Sequence, residues 1–284
     1  MSATSNSATG VFNGLLWSSR YEIRAQAVVG NTVRDTRSIF VTTPAVPQRI
    51  FTEIDRGIAA AQTAKDVINE ARISVGRVQV RLTGALRAAE NAAREFDDAA
   101  NATNPVVYSR HIAEASSWSE SVENSVEGLQ ERMDAAVIAL GVAATGVAAA
   151  GAFAIRLQSL AGQLTVSIQQ SYFIATKIPA AAQSIPGLQS SLSTVTAQRN
   201  GWLLAGAAII TGVLGLIASF GVLFQRDDAR RAAVQMREYA DEIRPDEKVW
   251  SDNFIALLNQ ERLQDGIVAE AEKLKLAYMT DPTP

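Results

Sequence analysis

From Ile54 to Ala99 apolar residues recur every seven positions without a break. One series is Ile54, Ala61, Ile68, Val75, Leu82, Ala89 and Phe96; three residues on run Gly57, Ala64, Ala71, Val78, Ala85, Ala92 and Ala99. Charged side chains such as Arg72, Arg77, Arg81, Arg87, Glu90 and Arg94 flank both series. A 3.5-residue repeat of this length specifies a long helix with one continuous apolar stripe. The Ala-rich second series calls for closely approaching helices. The stripe is expected to be the seam of an intermolecular bundle; a helix packed within its own chain carries the same pattern.

The segment Asn101–Pro105 interrupts this helix. A second heptad then starts near Ile112 and passes through Val122, Val126, Leu129, Met133, Ala136 and Leu140. It runs into Ala135–Ile155, which carries no charge, and a second charge-free stretch is Trp202–Phe224. Both exceed the ~18 apolar residues that mark a candidate membrane span, since ~20 helical residues cross ~30 Å of hydrocarbon. The first is rich in Ala, Gly and Val and reads equally as a helix buried in an oligomer. The second, with Leu, Ile, Phe and Trp202 at its edge, is the stronger candidate, its Trp placed to sit at an interface. Small residues fall at packing spacings: Gly141, Gly146 and Gly151 in the first, Gly206, Gly212 and Gly215 in the second. The two stretches are expected to pair through Gly146, Gly212 and Gly215.

Between them, Arg156–Gln198 has no Asp or Glu and carries Pro179 and Pro186-Gly187 as expected breaks. If both stretches span, this connection lies on one side and the two termini on the other. Arg226, Arg230 and Arg231 flank the second stretch, so the distribution of cations does not fix the orientation. Those arginines read as a solvated helix start beside Asp227 and Asp228, with lipid headgroup binding as an alternative. A charged helix, Arg226–Arg244, is expected to stop at Pro245, and an amphipathic helix with Trp250, Phe254, Leu257, Ile267 and Leu274 to follow.

Residues 10–43 are the one region that reads as β structure. Tyr21–Val29 alternates, with Tyr21, Ile23, Ala25 and Ala27 on one face; a Gly30-Asn31 turn and Arg37–Thr43 follow. Leu15 six residues before Tyr21, and the ending Thr42-Thr43-Pro44, resemble the last part of a fibronectin type III module. That resemblance implies that Leu15 and Tyr21 form the tyrosine corner, with Tyr21 buried. Trp17 stands where the family has Pro, and about twenty residues precede Tyr21, too few for the earlier strands of a ~100-residue sandwich. The β element is therefore expected to complete a sheet on another chain or to pack on neighbouring copies, with an ordinary docked hairpin as the alternative.

Composition removes several chemistries. The chain has 284 residues, no Cys and a single His, His111. Thiolate zinc sites, iron–sulfur clusters, disulfides and multi-histidine sites are excluded. A net charge of −3 gives no general attraction to nucleic acid. No phosphate-binding, dinucleotide, zinc-protease or serine-hydrolase motif occurs. His111 is expected at the surface, and Glu114, Glu120, Glu123, Glu127 and Glu131 form a solvated acidic face. Met1–Gly14 has neither a basic nor an apolar leader region, so no secretory signal is expected. No catalytic, cofactor or metal site is assigned, and an enzyme is not expected.

These features divide the chain into a β element with its linker (1–48), a coiled-coil helix (49–104), a helix entering the first apolar segment (105–156), the Ser/Gln-rich connection (157–200), the second apolar helix (201–225) and C-terminal amphipathic helices (226–284). The combination resembles tail-tip (host-attachment) proteins of tailed bacteriophages, in which fibronectin-type modules precede helical bundles. The resemblance implies a virion protein, trimeric, contacting other tail or baseplate proteins through its β element and entering the host membrane with its apolar helices. A helical pore-forming toxin and a two-span cell-envelope protein are the alternatives.

Overall fold

The computed structural model describes residues 12, 15–16, 19–164, 169, 178–219, 225–280 and 282–283. The fold is mainly α, with a small N-terminal antiparallel β-hairpin. Strands β1 (Leu15–Leu16), β2 (Arg20–Val29), β3 (Thr32–Thr42) and β4 (Pro282–Thr283) accompany five helices among the described residues. The helices are α1 (Gln48–Asn101), α2 (Pro105–Val126), α3 (Leu129–Ala161), α4 (Ile178–Ser219) and α5 (Arg226–Thr280). The chain divides into two compact units, one from Met1–Gln62, Ala150–Ala182 and Asp265–Pro284, the other from Thr63–Ala149 and Gln183–Gln264.

In the first unit the hairpin pairs Tyr21 with Val41 and Ile23 with Ile39, so the expected alternation holds across the strands. Gly30, at φ 62°, supplies the left-handed turn residue that a two-residue loop requires. Arg20 stacks 4.4 Å over the Phe40 ring on the opposite face. Thr43 closes the base of the hairpin: its backbone N–H donates to the Ser19 carbonyl at 2.9 Å, and its Oγ1 accepts from the Ser19 N–H at 2.9 Å. Leu15 does not join this ribbon but pairs with Thr283 in the β1–β4 bridge. Tyr21 is half-buried rather than buried; among the described residues no second sheet covers the ribbon. In the helical part of this unit Lys275 pairs with Asp55 at 2.8 Å, and the Tyr278 hydroxyl donates to the Leu160 carbonyl at 2.7 Å. Gly57 lies against the Leu157 side chain so closely that a Cβ there would fall 2.7 Å from its Cδ1.

The second unit is an antiparallel bundle. Gly146 of α3 packs on Val67 and Ala64 of α1, Gly84 on Ser125 of α2, and Gly76 on Phe254 of α5. Ion pairs Arg72–Glu261 (3.4 Å) and Arg244–Glu90 (3.0 Å), with Arg237–Asp97, stitch the margins of the α1–α5 contact. Each exposed pair adds at most ~1 kcal/mol; apolar burial dominates.

Every residue of the α1 heptad series from Ile54 to Phe96 is fully buried within the single chain, as are Ala64 to Ala99 of the second. The expected intermolecular seam is thereby corrected: these positions are core, covered by the chain's own helices. Buried positions continue the same spacing in α3 (Met133, Leu140, Val147, Ala154) and in α4 (Leu188, Val195, Trp202, Ile209, Leu216). The packing is coiled-coil-like within the subunit.

Helix boundaries differ from expectation at four places. Asn101–Pro105 breaks the rod as expected, and Asn104 caps α2 by accepting from the Val106 N–H at 2.8 Å, with Pro105 opening the helix. The second heptad, expected to be continuous, is interrupted by Glu127 and by Gly128 at φ 63°. The buried stripe nonetheless passes from Val126 to Leu129, so the interruption leaves the packing face in place. The expected breaks at Pro179 and Pro186-Gly187 lie inside α4, and Pro245 lies inside α5. A proline removes one N–H donor; at Pro245 the buried Ile243 and Trp250 on either side hold the helix to the core.

Beside Pro245, burial alone pushes the Asp246 carboxyl up to about 6. Its folded-state pKa exceeds the ordinary 3.8, so the folded state takes up a proton, and gains stability, as pH falls from above 6 towards 4. At neutral pH the charge is a burden, held near 1 kcal/mol because the side chain keeps partial solvent access. Asp246→Asn should raise Tm by about 2–4 °C at pH 7.5 and have little effect at pH 4. Thermal melts at the two pH values check this.

Candidate membrane-engaging face

The helical stretch Pro105–Ala161, which includes α3, and Gly187–Ser219 of α4 are long and apolar enough to cross a membrane, by length and composition. On α3 the burial pattern is inverted in size; α4 buries Trp202, Ile209, Val213 and Leu216 but leaves further large apolar residues outside. On α3 the inward positions are mostly small (Ala136, Ala143, Ala150, Gly151, Ala154), with Leu140 and Val147 between them. Its outward stripe, Ala135, Ile138, Val142, Thr145, Ala149, Ala152 and Ile155, includes the larger β-branched side chains, and Ile138 is 69% exposed. On α4 the outward positions include Leu203, Leu214 and Leu204, the last 82% exposed. A water-facing helix spends its large apolar residues inside. These helices do so only in part, which is what a helix meeting lipid or another protein on its far side requires.

The glycines act individually. Gly146 faces α1, not α4; Gly212 faces Tyr239 of α5; Gly206 lies under the Trp202 ring of its own helix; Gly151 is buried; no atom stands within 4 Å of where a Cβ on Gly141 or Gly215 would be. The expected pairing of the two apolar stretches through Gly146, Gly212 and Gly215 is therefore corrected. Trp202, expected at an interface, is buried over Gly206. A Cβ on Gly212 would fall 2.6 Å from Tyr239 Cζ, and the Tyr239 hydroxyl accepts from Gln235 Nε2 at 2.7 Å. Gly212→Leu should cost ~1–3 kcal/mol or more through overpacking, whereas Gly215→Leu should be nearly neutral. Urea denaturation of the two variants separates them.

Register explains why the stretches do not pair. Arg199 Nε lies 2.6 Å from Asp134 Oδ1, which also accepts from Gln130 Nε2 at 2.9 Å. The Tyr108 hydroxyl donates to the Gln225 carbonyl at 3.4 Å. From 108 to 134 the chain advances along α2 into α3; Arg199 of α4 lies at the Asp134 end of this path and Gln225, just before α5, at the Tyr108 end. The apolar part of α4 thus lies beside polar α2, and the apolar part of α3 begins only past the Asp134–Arg199 contact. The two stretches are staggered. Phe220–Phe224 and the connection at 165–168 and 170–177 lie outside the described residues.

The second candidate surface is the ribbon. Nearly all its side chains are exposed, Ile39 and Phe40 at 60% and 61%. Tyr21, Ile23, Ile39 and Val41 make one apolar face. A two-stranded ribbon carrying such a face is marginal alone and fits a partner.

His111, expected at the surface, is partly buried, with Nδ1 2.7 Å from Glu95 Oε2. The imidazole bond is the main cause holding the Glu95 carboxyl below the usual range, against the opposing effect of burial. Sequence reading missed this pairing because the partners are 16 residues apart; its one signal is the matched i,i+3 spacing of Glu95/Asp98 and His111/Glu114 on either side of the Asn101–Pro105 break.

No family model, curated protein or solved structure matches the chain.

Proposed function

We propose that the chain is a structural protein of a phage tail tip, carrying two apolar helical stretches towards the host envelope and held in a multi-copy assembly, a trimer, through its β ribbon. The observation that carries the membrane half of this reading is the exposure of large apolar side chains on both apolar helices, Ile138 and Val142 on α3 and Leu203, Leu204 and Leu214 on α4. The assembly half is supported by the exposed apolar ribbon, which fits other tail or baseplate proteins, and by the resemblance of Leu15, Tyr21 and Thr42-Thr43-Pro44 to a module end.

The stagger gives the mechanism its order. Two stretches offset along a bundle cannot lie side by side in one ~30 Å layer. Release of the Asp134–Arg199 pair and of the Tyr239–Gly212 contact lets α4 slide or swing, bringing the stretches level. The buried heptads of α1 and α5 are the scaffold from which they leave. A pore-forming protein is the second reading. It is favoured by the α1 seam being satisfied within one chain, as a soluble form before insertion needs.

Flotation of the full chain with anionic and zwitterionic vesicles tests the membrane half. Co-flotation together with dye leakage is the expected result, and a chain left wholly in the dense fraction overturns it. Mass measurement by light scattering tests the assembly half: a monomer at all concentrations removes the trimer.

A further inference from the structure

Where α1 ends and α2 begins, acidic groups on both helices converge on the chain's single imidazole. Glu95 and Asp98 stand one turn apart on α1; His111 and Glu114 stand one turn apart on α2. Ligand atoms of Glu95, Asp98 and His111 lie within 4.8 Å of one another. The Glu114 carboxyl is within hydrogen-bonding reach of Glu95. The turn between the helices is short and capped by Asn104, so both pairs sit on fixed backbone.

The charges around the cluster do not balance. Three carboxylates face Arg94 and Arg110; Arg94 is turned to Asn91, and Arg110 divides itself between His111 Nε2 (3.3 Å) and Glu114 (3.9 Å). Asp98 makes no ion pair among the described residues. A guanidinium keeps its protons, so Nε2 is the accepting nitrogen and Nδ1–H points at Glu95. A cation exchanged for that proton would meet a nitrogen and two carboxylate oxygens at once.

We propose that Glu95, Asp98 and His111 bind a divalent transition-metal ion of the zinc class, which staples α1 to α2. Zinc bonds to N and O of ~2.0–2.2 Å put ligands about 3.3 Å apart, within reach of small side-chain rotations here. An imidazole in the set selects such ions over Mg²⁺ and Ca²⁺, which take oxygen. Water or Glu114 completes the shell. On binding, the Nδ1 proton is released, Nε2 takes one up, and Arg110 turns fully to Glu114 or solvent.

The test is calorimetric titration of ZnCl₂ into tag-free, EDTA-treated full-length protein, with MgCl₂ in parallel. One ion per chain is expected, with Tm raised by roughly 5 °C at ~100 times Kd. Bound Co²⁺ should give visible absorption perturbed by the imidazole. Asp98→Asn, at an exposed position, should leave the metal-free Tm unchanged and weaken Zn²⁺ at least ~10-fold; His111→Gln should do the same to affinity and abolish the Co²⁺ signature. No saturable Zn²⁺ binding, equal binding by Mg²⁺, or either variant binding like wild type overturns the site. Should His111→Gln melt early without metal, Asp98→Asn decides alone.

Discussion

Ile68→Asp combined with Leu82→Asp is expected to unfold the chain, not to release folded helical monomers from an assembly. Both side chains are fully buried between the chain's own helices. Each aspartate would bring a carboxylate into a site with no partner, at a cost of several kcal/mol. Two such costs approach the ~5–15 kcal/mol that holds a domain of ordinary stability together. Far-UV circular dichroism should therefore lose most of the helical signal at 25 °C, and the urea transition should vanish. Were α1 instead the seam of a bundle between subunits, the same variant would keep its helicity and lose only its mass by light scattering. Exposed Val80→Asp, on the same helix, should do neither. The outcome decides which partner fills the stripe.

That distinction marks the limit of the sequence. The heptads of α1 were legible to the residue, because a 3.5 repeat fixes which side chains share a stripe. The repeat carries nothing about what covers the stripe. Here α3 and α5 contribute, and their own seven-residue stripes run on through Gly128 and Pro245, where local chemistry favours a break. Pro245 illustrates the same point in reverse: local chemistry argues for a stop, and burial of Ile243 and Trp250 outweighs one missing hydrogen bond.

The candidate site was legible in composition and not in arrangement. Two charge-free stretches stand out in any hydropathy reading, yet their stagger depends on long-range contacts such as Asp134–Arg199, 65 residues apart in sequence. Gly212 packs closely, but its neighbour is Tyr239, in the first part of α5, and not Gly146. Trp202 looked like an interfacial residue because it borders an apolar run; one turn on, Gly206 opens the space into which its ring folds. The hairpin was read nearly strand for strand, since Gly30-Asn31 and period-two alternation are local signals. What covers it was not, for the same reason as the α1 stripe.

The outward residues of α3 and α4 give the sharpest separation between a membrane face and a protein-covered one. Leu204→Arg and Ile138→Arg lie at positions 82% and 69% exposed, so the charge stays in water in the folded chain. Surface changes of this kind stay within about ±0.5 kcal/mol of folding stability. In a bilayer an arginine costs ~2.5–3.5 kcal/mol at a helix centre and less near the ends of the stretches, where these two positions lie, so the pair is expected to lower partitioning by roughly tenfold or more. The double variant should therefore melt like wild type, keep its helicity, and float with vesicles and release dye far less than wild type. Leu204→Ala with Ile138→Ala, losing only apolar area, should retain partial binding. If the arginine variant floats and leaks like wild type, the stripe does not meet lipid. A loss of assembly mass in that variant, with flotation unchanged, would instead place a second copy or another tail protein on Ile138 and Leu204.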